Sequence, residues 1–180
     1  RGRRPDPELD AAVGSPGGTE ERLPGQWGHN RAVCKNRAMD SFGPLVSGAW
    51  LKEHLADQDL RVIDLRWYLD GRSGQDAYRA GHIAGAAFVD LDREITASQG
   101  PGRHPIPGPA QFQSAMRRAG VWRSSRVVIY DDQGGYSAAR LWWLLRYHRH
   151  PAAAILDGGI GAWEGQLEPG EAEVAPGDFE

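Results

Sequence analysis

The sequence predicts an α/β fold in which a short parallel sheet is flanked by helices on both faces. Three observations lead to this prediction. Short apolar segments alternate along the chain with segments whose apolar residues recur at helical spacing. The short segments are apolar at consecutive positions, which is typical of strands buried on both faces. Glycine and proline stand between the segments and define where each element ends.

The regular part of the chain begins near Pro44. Ser47 is a suitable N-cap for a helix that runs through Leu55. The elements that follow are predicted, in order, as a buried strand, a short helix ended by Gly81 and a second short strand: 61–65, 75–80 and 86–89.

The second half of the chain repeats this alternation. Pro109 suits the first turn of a helix, and four apolar residues follow it at i, i+3, i+4 and i+7 spacing: Phe112, Ala115, Met116 and Ala119. Residues 126–130 form the clearest predicted strand, because its middle is β-branched. The last predicted elements are a helix over 138–145, a strand over 152–156 and a helix containing Trp163.

Composition excludes several classes of protein. The formal net charge is −3 and the pI about 6.1, so no basic surface for nucleic acid is expected. No apolar run approaches the roughly 18 residues that a membrane span needs. Cys34 is the only cysteine, which excludes a disulfide within the chain and argues against a cysteine-based metal site. A reducing, cytoplasmic setting is the expectation, and no metal or cofactor is expected.

Composition also predicts the domain boundaries. Residues 1–40 are rich in Gly, Pro and charge without a sustained period, which predicts a disordered leader. Residues 41–166 are predicted to form the domain. Residues 167–180 turn to Glu, Pro and Gly again and are predicted to begin a linker to a further domain.

The predicted strands place three acidic residues where a parallel sheet binds ligands, beyond the carboxyl ends of its strands. These residues are Asp64, Asp131 and Asp157. The loop after the clearest strand is the main candidate site, and its residues are Asp131, Asp132, Gln133, Gly134, Gly135 and Tyr136. Its glycines permit positive φ, so successive N–H groups can point at a common centre beside a helix N-terminus.

Four segments together resemble the rhodaneses, the thiosulfate sulfurtransferases. They are Val62-Ile63-Asp64-Leu65-Arg66, Gly81-His82-Ile83-Ala84-Gly85-Ala86, Val128-Ile129-Tyr130-Asp131-Asp132 and Leu156-Asp157-Gly158-Gly159-Ile160-Gly161-Ala162-Trp163. Each segment alone is common, but their order and spacing match over roughly 44–165. The resemblance is closest to the first, non-catalytic domain of the tandem rhodaneses, and it implies the rhodanese-like α/β fold.

The resemblance also implies that this chain lacks the catalytic cysteine of the family. In the active domains of the family, a cysteine at the first loop position after the central strand takes up sulfur as a persulfide. Asp131 stands at that position here. A carboxylate has no sulfur to form a persulfide, so the chain alone is predicted to be inactive. Asp131 is instead expected to accept hydrogen bonds from the N–H groups of its own loop.

The function implied by the resemblance is therefore supporting. The chain is expected to be one half of a thiosulfate or 3-mercaptopyruvate sulfurtransferase, and its partner a C-terminal catalytic rhodanese domain beyond Glu180. The alternative is a stand-alone, inactive rhodanese-like module for binding or regulation. The coding sequence after Glu180 distinguishes the two.

Structural roles are expected for most other polar candidates. Asp64 and Arg66 are predicted to pair near the loop, and His82 to make a structural hydrogen bond. Arg103-His104 is predicted to lie at the surface or at an interdomain contact. Trp143 falls off the apolar stripe of its helix and is a candidate for contact with a partner domain. Cys34 lies in the predicted leader, outside any strand-loop-helix arrangement.

Overall fold

The structure is a computed structural model, and it describes residues 42–180. These residues form five α-helices: α1 (Gly48–His54), α2 (Gly74–Ala80), α3 (Leu91–Glu94), α4 (Pro109–Arg118) and α5 (Ala138–Tyr147). The strands are β1 (Leu45–Val46), β2 (Leu60–Asp64), β3 (His82–Ile83), β4 (Ala87–Phe88), β5 (Arg126–Tyr130), β6 (Ala153–Leu156) and β7 (Leu167–Glu168). The predicted leader, with Cys34, lies outside the described residues.

Five of the strands form one parallel sheet in the order β1-β6-β5-β2-β4. β5 is the central strand of this sheet. Neighbouring residues of β5 face opposite sides, so that Ile129 joins one hydrophobic core and Tyr130 the other. The first core contains Phe112 of α4 and Leu141 of α5, and the second contains Leu51 of α1. The predicted sheet with helices on both faces is confirmed.

Capping side chains define the starts of three helices. Ser47 accepts a hydrogen bond from the N–H of Trp50, as predicted, and Ser73 caps α2 in the same way. The carboxylate of Asp90 accepts from Asp92 and Arg93 and starts α3, which the sequence analysis did not predict. α3 is a single turn, too short to show a helical period.

The helix predicted around Trp163 is wrong. The chain forms a 3₁₀ turn over Gly159–Ala162, and Trp163 has extended backbone angles. Gly158 and Gly159 have φ values of 76° and 60°, far from the value of about −63° that α-helical residues adopt. Too few residues then remain before β7 for an α-helix to begin.

Residues 167–180, here called the C-terminal strap, pack on the domain. β7 pairs antiparallel with β3, and the N–H of Gly177 donates to the carbonyl of Arg117. Phe179 is buried in the first core, 5.5 Å from the ring of Phe112. A linker to a further domain stays a prediction, but the strap itself belongs to the folded unit.

Candidate functional site

The three acidic residues predicted at the sheet edge lie at the carboxyl ends of neighbouring strands. Asp64 is the last residue of β2, Asp131 follows β5 and Asp157 follows β6. Asp64 and Asp131 are buried, whereas Asp157 is exposed. Burial of a charged group needs compensating partners, so the contacts of the two buried carboxylates define this edge.

The Asp131 carboxylate accepts four hydrogen bonds from backbone N–H groups. Oδ1 accepts from Gln133 at 3.0 Å and from Gly135 at 2.8 Å. Oδ2 accepts from Ser137 at 2.8 Å and from Ala138 at 3.0 Å. The carboxylate thus fills an amide cradle at the N-terminus of α5, where the helix dipole also favours negative charge. The expected contacts between the carboxylate and its loop are confirmed.

Glycine conformation and close packing build this cradle. Gly134 and Gly135 have φ values of 70° and 90°, which turn the loop back so that its N–H groups face inward. Gly159 approaches from the turn after β6, where an added Cβ would lie 2.3 Å from the carbonyl oxygen of Asp131. That same carbonyl accepts the N–H of Ile160 at 2.8 Å. The loop after β5 is therefore tied to the loop after β6.

Asp64 and Arg66 form a buried ion pair, as predicted. The closest contact is 2.6 Å, and the other guanidinium contact of Arg66 is the carbonyl of Gly81 at 2.8 Å. Burial disfavours the charged guanidinium, but the hydrogen bond and charge of Asp64 outweigh it and raise the pKa of Arg66. His82 is buried with Nδ1 3.1 Å from the carbonyl of Tyr78, which is the structural bond expected.

The loop after β2 joins the candidate loop through side chains. The hydroxyl of Tyr68 donates to Asp132 at 2.6 Å, and the amide of Gln133 donates to the carbonyl of Trp67 at 2.8 Å. Burial and the hydrogen bond to Asp132 raise the pKa of Tyr68 to about 12. The residues that follow Asp131 thus hold two neighbouring loops together rather than project freely.

A titratable pair lies on the same edge and was missed by the sequence analysis. The carboxylate of Asp92 accepts from the indole N–H of Trp67 at 2.7 Å, and its other oxygen lies 3.3 Å from Nδ1 of His104. Burial lowers the pKa of His104, with an opposing effect of Asp92. Arg103 lies over the Trp67 ring, 5.5 Å from its centroid. The sequence offered no signal for Asp92, because only folding brings α3 beside this loop.

Three exposed apolar side chains belong to the candidate loop or to segments that are hydrogen-bonded to the loop or to α5. Leu69 follows Tyr68, Ile106 follows a segment held by Arg140, and Tyr136 ends the loop itself. All three are exposed, with Tyr136 at 72%. This edge of the sheet therefore combines a closed cradle with an apolar surface.

Two grooves of about 340 and 250 Å³ lie elsewhere, on either side of the strap residues 171–175. Neither groove is lined by the candidate loop. Among residues 42–180, no three His, Cys, Asp or Glu side chains form a group suited to a metal ion. Within the same range, every helix is too short or too polar to cross a bilayer.

Comparison with known proteins defines the class. Residues 47–166 match the family described as the rhodanese-like domain. The crystal structure of SseA from Escherichia coli, a 3-mercaptopyruvate sulfotransferase, superimposes with a TM-score of 0.71 at 34% identity, over 76% of this chain and 54% of that one. The 3-mercaptopyruvate sulfurtransferase of Leishmania major gives 0.69 at 27% identity, over 78% and 41%. The fold and its neighbours are those of rhodanese-fold sulfurtransferases.

This chain belongs to the rhodanese-like family. Its sequence is 40% identical over 146 residues to the human 3-mercaptopyruvate sulfurtransferase, covering 75% of this chain and 49% of that protein. It is 38% identical over 148 residues to a probable 3-mercaptopyruvate sulfurtransferase of Pseudomonas aeruginosa, covering 78% and 52%. The chain thus spans about half the length of these curated relatives.

Proposed function

We propose that this chain is the non-catalytic rhodanese half of a sulfurtransferase that uses 3-mercaptopyruvate or thiosulfate. The observation that carries the proposal is the amide cradle around Asp131, which holds a carboxylate where the catalytic domains of the family carry a cysteine. Relatives that are 3-mercaptopyruvate sulfurtransferases, of whose length this chain spans about half, support it.

The chemistry of sulfur transfer explains why the cradle is inactive. A thiolate must attack the outer sulfur of the donor, form a new sulfur–sulfur bond and release the rest of the donor with its electron pair. Asp131 cannot form that bond. Its buried negative charge also takes up the inward-facing N–H groups and repels an anionic donor. Sulfur must then be carried by another domain.

We propose that a catalytic rhodanese domain faces the carboxyl edge of this sheet. The exposed Leu69, Ile106 and Tyr136 supply an apolar surface that suits a partner. The pair of His104 and Asp92 lies on the same edge and is the group there best suited to proton transfer. This domain would shape one wall of the shared site.

A sulfur-transfer assay on the purified chain tests the proposal. With thiosulfate and cyanide, or with 3-mercaptopyruvate, we expect no thiocyanate or pyruvate above a no-protein control. Asp131→Cys should place a thiolate in the cradle, where the amides and helix N-terminus lower a thiol pKa, and should absorb as a thiolate at about 240 nm at neutral pH while turning over little donor. Turnover by the native chain that Cys34→Ser abolishes would refute the assignment.

One observation favours the alternative of a stand-alone binding module. The strap buries Phe179 in the first core, so residues 167–180 fold with this domain instead of extending away from it. Translation of the coding sequence beyond Glu180 decides between them. A second rhodanese domain with a cysteine in the matching loop supports the sulfurtransferase half, and a stop codon supports the module.

A further inference from the structure

The outer face of α5 carries an aromatic surface that the candidate loop does not use. Ala139, Trp143 and Tyr147 are spaced four residues apart and therefore share one face of the helix. Trp143 is 45% exposed and Tyr147 59%, and their rings stack with centroids 5.2 Å apart. Helical spacing predicts that Trp143 lies off the apolar stripe of the helix, and in the structure this side chain is exposed to solvent.

Unpaired positive charge accompanies the two rings. Residues 133–156 contain no Asp or Glu. Arg146 and Arg149 are exposed near the end of α5, and no carboxylate of residues 42–180 forms an ion pair with either. Of the other exposed arginines in this range, Arg103 and Arg117 also lack a carboxylate partner, whereas five have one: Arg72, Arg79, Arg93, Arg118 and Arg123. Arg146 lies over the Trp142 ring, 5.4 Å from its centroid. This face therefore places two arginines without a carboxylate partner beside exposed aromatic rings.

Arg149 also has a backbone conformation that arginine rarely adopts. Its φ is 60°, the left-handed region, at the position after a helix where glycine is usual. Its N–H closes the helix end on the carbonyl of Arg146. The helix dipole favours a cation at this end, but it does not account for two exposed aromatic rings beside two arginines.

We propose that the outer face of α5 docks an acidic segment of a partner protein that also carries apolar side chains. Tryptophan, tyrosine and arginine are the residues that dominate binding energy at protein interfaces. Carboxylates of the segment would pair with Arg146 and Arg149, while its apolar side chains cover Trp143 and Tyr147. The surface is separate from the candidate loop, so the inference does not depend on the proposed function.

Charge argues against other occupants. Two copies joined through this face would bring four arginines together without a carboxylate. Nucleic acid needs a broader basic surface, whereas this chain has a net charge of −3. A bilayer surface requires a longer apolar face with more basic residues around it.

Fluorine NMR of the chain labelled with 5-fluorotryptophan tests the inference. The probe is a short acetylated peptide in which glutamate alternates with leucine, and the control is the same peptide with lysine for glutamate. The resonance of Trp143, assigned with Trp143→Phe, should shift with the acidic peptide. Trp122 is similarly exposed at 41%, lies before β5 and should not shift. Binding should weaken as salt rises.

Charge reversal supplies the matched comparison. Arg146→Glu should weaken binding of the acidic peptide by about 2- to 5-fold, the range expected when one exposed ion pair is lost. Arg93→Glu, at a highly exposed arginine on α3, should leave it unchanged. Circular dichroism checks that both variants fold.

The inference is wrong if no shift appears at millimolar peptide, or if the lysine peptide binds equally. It is also wrong if Trp122 shifts as much as Trp143, or if single-stranded DNA or anionic vesicles bind this face more tightly.

Discussion

Asp131→Asn is the change that most directly tests the amide cradle. Each carboxylate oxygen accepts two backbone N–H groups. An asparagine keeps one acceptor oxygen and replaces the other with an NH₂ donor. Whichever way the amide is turned, two N–H donors then face a third donor. The substitution therefore removes two hydrogen bonds and the charge that strengthened the other two.

The expected loss of stability in Asp131→Asn follows from those contacts. A hydrogen bond to a charged group contributes about 1.5–3 kcal/mol, and two of the four are lost at a buried position. We expect Asp131→Asn to lower the free energy of unfolding by about 3 kcal/mol. Asp132→Asn is the control, because Asp132 is exposed and makes one side-chain contact, to Tyr68. That change should cost about 1 kcal/mol or less.

Urea unfolding followed by circular dichroism measures both values. The slope with urea should be the same in the two variants, so that midpoints can be compared directly. If Asp131→Asn is no more destabilising than Asp132→Asn, the carboxylate is not held by the loop as described. A loss of more than about 6 kcal/mol, the upper limit for two charged hydrogen bonds, would mean that the loop organises much more of the domain.

Three further results are expected. Phe179→Ala should lower the free energy of unfolding by about 3 kcal/mol, the lower end of the range for a buried phenylalanine, because the end of the strap can relax. The variant should also let carboxypeptidase remove the strap. A free energy of unfolding within about 1 kcal/mol of the native chain would contradict the place of Phe179 in the core. Gly159→Ala should destabilise by several kcal/mol, since the added carbon meets the carbonyl of Asp131 and φ is 60°, and an unchanged urea midpoint would contradict that geometry. Burial lowers the pKa of His148 and His150, so the unfolded chain binds more protons just below pH 6.5 and stability should fall as pH drops below that value. Thermal melts at pH 5 and 7.5 measure the change, and His148→Phe should reduce it; an equal change in the variant would contradict the role of His148.

Much of the site's position could be predicted from local sequence. The β-branched residues 126–130 predict a buried strand, and the two glycines after it predict a loop that turns inward. A residue directly after a parallel strand lies at the carboxyl edge of the sheet whatever its neighbours are. The amide contacts of Asp131 follow from these local features, which is why they could be predicted before the fold was known.

Weakly patterned segments could not be interpreted in the same way. The Glu-, Pro- and Gly-rich residues 167–180 have too little apolar surface to indicate a folded segment, yet β7 pairs with β3 and Phe179 enters the core. The error at Trp163 has the opposite origin. Trp163, an apolar residue after the turn at Gly158 and Gly159, suggested a helix. The chain instead forms a 3₁₀ turn that ends before Trp163.

The sequence by itself determined the α/β class, the central strand, the loop that follows it and the absence of a cysteine from that loop, because period, turn chemistry and residue identity are local properties. Only the tertiary structure decided which distant groups meet. Asp92 contacts Trp67 and His104, which belong to other segments of the chain. Gly159, which follows β6, packs against the carbonyl of Asp131, which follows β5. The lack of a carboxylate partner for Arg146 and Arg149 among the described residues likewise became visible only in the folded structure. Contacts between residues far apart in the chain depend on how the helices and sheet pack, and no local pattern encodes that arrangement.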